Sequence, residues 1–126
     1  MKQILKTRRF SKWMHKIQLD DANLLNAVTE MENGLIDADL GGNIYKKRIA
    51  LPGRGKRGSV RTLIATNKGH RWIFMYGFAK NERDNITQGE LASLQGVASD
   101  LLGFSEAVLS AVIASGQLEE VCHESS

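Results

Sequence analysis

Cysteine, proline and long apolar runs are scarce in this chain of 126 residues, and each shortage excludes a class of protein. The single cysteine, Cys122, cannot form a disulfide within the chain, which fits a reducing compartment. The one proline excludes a Pro-rich linker between domains. The longest weakly polar run, residues 107–114, is far shorter than the ~20 residues of a membrane span, and the basic N-terminus lacks the apolar segment of a signal peptide. We therefore expect one soluble cytoplasmic domain.

The histidines supply no metal-ligand pattern. His15, His70 and His123 are scattered along the chain, whereas zinc sites hold their ligands at short characteristic spacings. His70 falls in a predicted turn and is expected to be an ordinary turn residue rather than a catalytic one. We expect neither a metal nor a cofactor.

Basic residues are missing from the last third of the chain. All 17 Lys and Arg lie at or before Arg83 together with 7 of the 14 acids, so residues 1–83 carry a net charge of +10. Residues 84–126 hold the other 7 acids and no Lys or Arg, so their net charge is −7. This asymmetry indicates a polyanionic partner, because a compact positive surface attracts a polyanion from a distance.

Apolar spacing predicts helices before and after a central run of strands in the chain. Ser11 is the expected cap of a short first helix, and Asp20 or Asp21 caps the second. After the sheet, Thr87 opens a third helix through a capping box, and Ser105 caps a last one.

An apolar period of two predicts strands at residues 43–51, 60–66 and 71–78, and a short strand lies within residues 3–9. Sequential strands joined by short turns favour an antiparallel sheet. With helices packed on that sheet, the predicted fold class is α+β.

The first of these central strands has two different faces. Tyr45, Ile49 and Leu51 fall on one face, and Lys46 and Arg48 on the other. The pattern predicts that one face packs against the core while the other presents cations.

The third central strand is apolar on both faces. Trp72, Phe74 and Tyr76 alternate with Ile73 and Met75, as is typical of a covered central strand. This interpretation makes Tyr76 a core aromatic residue.

A dense cluster of cations links the first two central strands. Seven cations and no acid occur within sixteen residues: Lys46, Lys47, Arg48, Arg54, Lys56, Arg57 and Arg61. Their mutual repulsion destabilises the fold unless a polyanion binds, and glycines at 53, 55 and 58 let a backbone approach a phosphate closely. The alternative is a solvated hairpin whose charges protect a sheet edge, but one or two lysines suffice for that. We favour a phosphate site.

Three segments carry a resemblance to a known family. The stretch Tyr45-Lys46-Lys47-Arg48, the segment GRGKRGSVRT and the segment MYGFAKNER resemble RelE-type toxins of toxin–antitoxin systems, and especially their HigB-related branch. The resemblance spans residues 3–102, so we expect a toxin domain at 1–102 and a helical extension with an acidic tail at 103–126. It implies a small microbial-RNase-like fold with N-terminal helices and a C-terminal helix packed on a twisted antiparallel sheet.

The resemblance also implies an activity, partners and site residues. The activity is metal-independent cleavage of messenger RNA, commonly on the ribosome, with inhibition by a cognate antitoxin, here expected to be a helix-turn-helix protein. The residues implied as catalytic are Lys46, Arg48, Arg61, Lys80 and Glu82. Those expected to contact RNA are Lys47, Arg54, Lys56, Arg57 and Arg83.

The chain departs from the family at the residues expected to supply the general base. The tyrosine that RelE carries past the last strand matches Ile86 or Thr87, and Asn81 replaces an arginine. Three residues remain as candidate bases: Lys46, whose like-charged neighbours favour the neutral amine, Tyr76 and Glu82. The alternatives to a nuclease are a ParE-like toxin that acts on DNA gyrase, a plain RNA-binding module, and an inactive relic that only binds an antitoxin.

Overall fold

Ten helices and strands follow one another in the computed structural model, which describes residues 2–51 and 58–121. They are β1 (Gln3–Thr7), α1 (Arg8–Lys16), α2 (Asp21–Glu32), β2 (Ala38–Gly41), β3 (Ile44–Ala50), β4 (Ser59–Thr66), β5 (Arg71–Ala79), α3 (Gln88–Gly103), α4 (Glu106–Ala114) and β6 (Leu118–Glu120). The predicted α+β class is confirmed.

The six strands form one sheet in the order β2-β3-β4-β5-β1-β6. Every neighbouring pair is antiparallel except β1 and β5, which run parallel. The predicted antiparallel sheet is therefore right for its centre. The parallel pair arises because the long segment between β1 and β5 contains two helices, and such a connection can return a strand in the same direction.

Polar caps decide where the helices begin. Asp20, Thr87 and Ser105 each accept a hydrogen bond from the amide three residues later, as predicted. The prediction for Ser11 is wrong: Thr7 accepts from the amide of Phe10, so α1 begins four residues earlier and Ser11 is buried inside it.

Hydrophobic clusters lie on both faces of the sheet. One joins α1 and α2 to the sheet through residues such as Phe10, Leu24 and Phe74. The other joins α3 and α4 through residues such as Leu63 and Leu109. The sheet is thus the middle layer of three, and we call its two surfaces the α1/α2 face and the α3/α4 face.

The C-terminal extension takes part in this architecture. The predicted boundary after residue 102 falls within the last turn of α3, and Leu109 and Leu118 are buried against the α3/α4 face. Strand β6 pairs with β1, and β2 pairs with β3; neither edge strand was predicted, because each has only three or four residues. The division into a domain and an extension stays a prediction.

Buried cations tie the layers together. Lys6 binds Asp21 at 2.7 Å on the α1/α2 face, and Arg71 donates to the carbonyl oxygens of Leu101 and Phe104 at 2.9 Å each. Because those carbonyls lie at the end of α3, where the helix itself supplies too few donors, Arg71 helps to fix where α3 turns into α4. In residues 2–51 and 58–121 no single helix is long and apolar enough to cross a membrane; α3 and α4 meet that test only together, as a pair bent by 115°.

Gly77 of β5 lies directly under the ring of Trp13. A Cβ at this position would overlap the indole, whereas Gly96 in the middle of α3 has no atom within 4 Å of its own Cβ position. Gly77→Ala should therefore lower the free energy of unfolding by about 1–3 kcal/mol through overpacking. Gly96→Ala should raise it by about 0.5–1 kcal/mol, because alanine favours the helix. Denaturant titration measures both, and a Gly77→Ala protein as stable as the wild type would contradict the packing described.

Candidate functional site

Two arginines face each other on neighbouring strands of the α3/α4 face. Arg48 of β3 is paired in register with Arg61 of β4. Leu51 N–H donates to Gly58 O at 2.8 Å, and hydrogen-bonded pairs alternate along an antiparallel ladder. The pair of Leu51 and Gly58 is hydrogen-bonded, so the pair of Arg48 and Arg61, three residues further along the ladder, is a non-hydrogen-bonded pair. Side chains approach most closely in pairs of this kind. The structure thus places two arginine side chains of like charge at neighbouring positions on one face of the sheet.

The side chain of Arg61 has a hydrogen-bond donor that its described surroundings leave unused. Its Nη1 atom is inaccessible to solvent and has no hydrogen-bond partner within the part of the chain that the structure describes. A buried donor without an acceptor is destabilising, so this atom favours an anion or another acceptor beside it.

A β-bulge brings aromatic side chains to the same face. The register shifts between Leu63 and Ile64, so that Leu63 faces Tyr76 and Ile64 faces Phe74. The residue between them, Met75, is the extra one, and every later side chain of β5 changes face. The prediction that Tyr76 shares a face with Phe74 is therefore wrong.

Two cross-strand rows result on the α3/α4 face. The first row is Arg48, Arg61 and Phe78, and the next is Lys46, Leu63 and Tyr76. Lys46 and Arg48 lie opposite the face of Tyr45, Ile49 and Leu51, which pack with the α1/α2 cluster, as predicted.

An open cleft of about 1,020 Å³ lies at the end of the sheet where β3 ends, β4 begins and β5 ends. Its charged lining residues are Lys16, Arg48, Arg61, Lys80, Glu82 and Asp84. Among the described residues, four cations against two acids leave the cleft positive, and these cations come from α1, β3, β4 and the turn after β5. Such a cleft concentrates field lines and attracts an anionic ligand.

Glu82 has a defined position at the mouth of this cleft. Its Oε1 accepts from the amide of Ala79 at 2.9 Å, and its own amide donates to the carbonyl of Ala79 at 3.0 Å. The turn after β5 is thereby closed by the carboxylate, whose position between Lys80 and the strand ends follows from these bonds.

Two residues expected to contact RNA lie elsewhere. Lys47 points to the α1/α2 face, where its ammonium binds Glu30 at 2.9 Å and its side chain is only 8% exposed. Arg83 forms two hydrogen bonds with the carboxylate of Glu90, at 2.9 and 2.6 Å, and contacts the hydroxyl of Tyr76 at 3.3 Å. Both cations are already paired, so we do not carry them into the proposed set of RNA contacts. Arg54, Lys56 and Arg57 lie outside the described residues.

Lys16 and Arg9 are site residues that sequence reasoning missed. Lys16 lines the cleft from the last turn of α1, and the guanidinium of Arg9 lies 4.9 Å from the ring centre of Tyr76. Their spacing in the sequence is that of any solvated helix face, and only the packing of α1 beside β5 brings them to the site.

The ion pair between Arg83 and Glu90 changes the acidity of both groups. The hydrogen bonds from Arg83, and next the amide of Thr87, lower the pKa of Glu90 from 4.5 to about 2. Glu90, followed by Tyr76, raises the pKa of Arg83 above its ordinary value. This pair anchors the first turn of α3 to the segment that follows β5.

Metal ligands do not cluster in the described ranges 2–51 and 58–121, where no group of three or more His, Cys, Asp or Glu side chains is placed to hold an ion. The charged groups that the described residues bring to the cleft are guanidinium, ammonium and carboxylate groups.

The fold and the cleft define a class: a small α+β protein whose sheet carries an arginine-lined, positively charged cleft at one end. Residues 2–121 match the family described as the RelE toxin of the RelE / RelB toxin–antitoxin system. The chain belongs to this family and is a toxin of a toxin–antitoxin system, paired with an antitoxin. The resemblance to RelE-type toxins is thereby confirmed, and the closer likeness to the HigB-related branch stays a prediction. No curated protein matches the chain.

The Glu90 pair predicts how stability depends on acidity. Because folding lowers the pKa of Glu90, the stabilisation is complete above the ordinary pKa of 4.5 and is lost as the pH falls toward 2. Glu90→Gln should therefore lower stability at pH 7 and flatten the loss between about pH 5 and 2. Asp100→Asn, on the same helix, is the control and should keep the wild-type profile. Urea titrations across this range measure the effect, and parallel profiles for Glu90→Gln and wild type would contradict it.

Proposed function

We propose that this toxin is a metal-independent endoribonuclease that cuts messenger RNA in the cytoplasm, on the ribosome, and is inhibited by a cognate helix-turn-helix antitoxin. The observation that carries the proposal is the paired Arg48 and Arg61, together with the unpartnered Nη1 of Arg61. Like charges directly opposite on a sheet are unfavourable, and a phosphodiester between them removes that repulsion. The planar fork of arginine also suits two-point contact with phosphate oxygens.

Cleavage by this site would use the substrate's own 2′-hydroxyl. The 2′-oxygen attacks the adjacent phosphorus, the bond to the 5′-oxygen breaks, and a 2′,3′-cyclic phosphate forms. Arg48 and Arg61 stabilise the extra negative charge on the phosphorane, and Lys46, in the next row, adds positive charge. This role needs no metal ion.

Two proton transfers complete the reaction. We assign the general base to Glu82, which lines the cleft together with Lys80 and Arg61. Lys80, the lysine of the turn after β5, would donate a proton to the departing 5′-oxygen. Tyr76 is the weaker candidate for the base because it is not among the described residues that line the cleft.

Replacing the central arginine tests the proposal. Arg61→Ala should reduce RNA cleavage about 10²- to 10³-fold, because one preorganised donor to the transition state is lost. Growth arrest on induction should disappear with it, whereas Arg8→Ala, an exposed arginine of α1, should arrest growth like the wild type. Undiminished cleavage by a folded Arg61→Ala protein would contradict the proposal. Arrest with intact transcripts and damaged DNA would favour a gyrase poison instead.

Two adjacent lysines offer a matched comparison. Lys46 lies on the face of the arginine pair and Lys47 on the opposite face, paired with Glu30. Lys46→Met should reduce cleavage at least about tenfold without changing stability, since it removes charge beside the phosphate. Lys47→Met should change stability and leave cleavage per folded molecule near the wild-type level. Cleavage assays normalised by the folded fraction measure both variants. Loss of cleavage in Lys47→Met but not in Lys46→Met would contradict a reaction on the α3/α4 face.

A further inference from the structure

A second, smaller cavity lies beside the cleft. It has a volume of about 260 Å³ and lies between α1 and the C-terminal half of β5. Its walls combine the rings of Trp13, Tyr76 and Phe78 with the guanidinium groups of Arg9 and Arg83. Ligand sites of drug size measure about 300–1,000 Å³, so this cavity suits one small ring system.

Backbone groups of β5 point into this cavity. Strand β1 pairs with β5 only as far as Phe74, so the following part of β5 has no strand beside it on that side. The amide of Ala79 donates to Glu82 and not to β4, and the pairing alternates along the strand. The N–H and C=O of Gly77, two residues earlier, therefore also point away from β4.

Gly77 is buried, yet these two groups find no partner. Outside the ladder between β4 and β5, the described part of the chain contains no hydrogen bond to the amide or carbonyl of Gly77, and in that ladder both groups point away from β4. Buried backbone donors and acceptors are almost always paired, so an unpaired couple facing a cavity indicates a ligand that supplies both an acceptor and a donor. The missing side chain of Gly77 is what lets the indole of Trp13 pack directly on this strand beside the cavity.

The remaining walls suit a flat aromatic ligand. Trp13 packs directly on Gly77, which holds the indole in one orientation, and its ring centre lies 5.4 Å from that of Phe10. On the other side, Arg9 covers the ring of Tyr76, whose hydroxyl contacts Arg83. Arginine planes and aromatic rings are the surfaces on which unstacked RNA bases are held.

We propose that this cavity binds one nucleobase of the RNA, held by its Watson–Crick edge on the N–H and C=O of Gly77 and stacked among Trp13, Tyr76 and Arg9. Glu82 lines both this cavity and the arginine cleft, so the base belongs to a nucleotide next to the phosphate at Arg61. The inference rests on the proposed function, because it assumes that RNA occupies the cleft.

Nuclear magnetic resonance of the full-length protein tests the pocket. The probe is a 2′-O-methylated RNA trinucleotide, which cannot be cleaved because its attacking hydroxyls are blocked. The signals to follow are the Gly77 amide and the Trp13 indole for the base pocket, and the Arg61 amide for the phosphate cleft. Versions of the trinucleotide that lack the base at one position are the second probe, and inorganic phosphate is the third.

We expect the complete trinucleotide to shift all three signals. One of the versions lacking a base should still shift Arg61 and leave Gly77 and Trp13 unchanged, and phosphate should shift Arg61 alone. Arg9→Gln should weaken binding of the complete RNA about three- to tenfold relative to Arg8→Gln, its neighbour with the same charge change. The two variants should bind the version that lacks the critical base equally well.

Three outcomes would overturn the pocket. If Arg61 shifts while Gly77 and Trp13 stay unchanged, the phosphate cleft stands and the base pocket fails. If phosphate alone shifts Gly77, the cavity is an anion site and holds no base. If RNA shifts none of the signals, the proposed function fails, and the pocket with it.

Discussion

Arg48 and Arg61 are paired across β3 and β4, and the sheet has to hold two side chains of like charge at neighbouring positions against their repulsion. Contacts on the α1/α2 face hold β3 and β4 together. Thr62 donates to the carbonyl of Lys47 at 2.8 Å, and Lys47 itself is paired with Glu30 of α2. Ile49 and Val60, the next row, are buried in the α1/α2 cluster. Packing and ion pairs on the α1/α2 face thus offset the like charges on the α3/α4 face.

One extra residue in β5 connects this charged pair with the aromatic cavity. The bulge at Met75 moves Tyr76 and Phe78 to the face of the arginines and turns Gly77 toward Trp13. Bulges often occur where a strand has to redirect side chains beside a functional site. The end of β1 near Phe74 has a related consequence, since it leaves room beside β5 for α1 and its arginine.

Several features could be predicted because each depends on local periodicity or on a side chain within three residues. They are the charged face of β3, the three central strands and the caps at Asp20, Thr87 and Ser105. The anion site predicted from the cluster between Lys46 and Arg61 stays a proposal, which the positive lining of the cleft supports. The face of Tyr76 could not be predicted, because a bulge depends on how two strands pair and leaves no mark in the period of either one. The burial of Lys47 could not be predicted either, because its charge suggested an exposed side chain. A buried lysine is tolerated when a carboxylate such as Glu30 pairs with it.

Mapping the 5′ ends of cellular transcripts shortly after induction tests the central claim, that the arginine pair holds a scissile RNA phosphodiester. The account predicts new 5′ ends within coding regions in cells that make the wild-type protein, and their loss when Arg48 and Arg61 are both neutral. Transcripts that stay intact while the wild-type protein halts growth would contradict it.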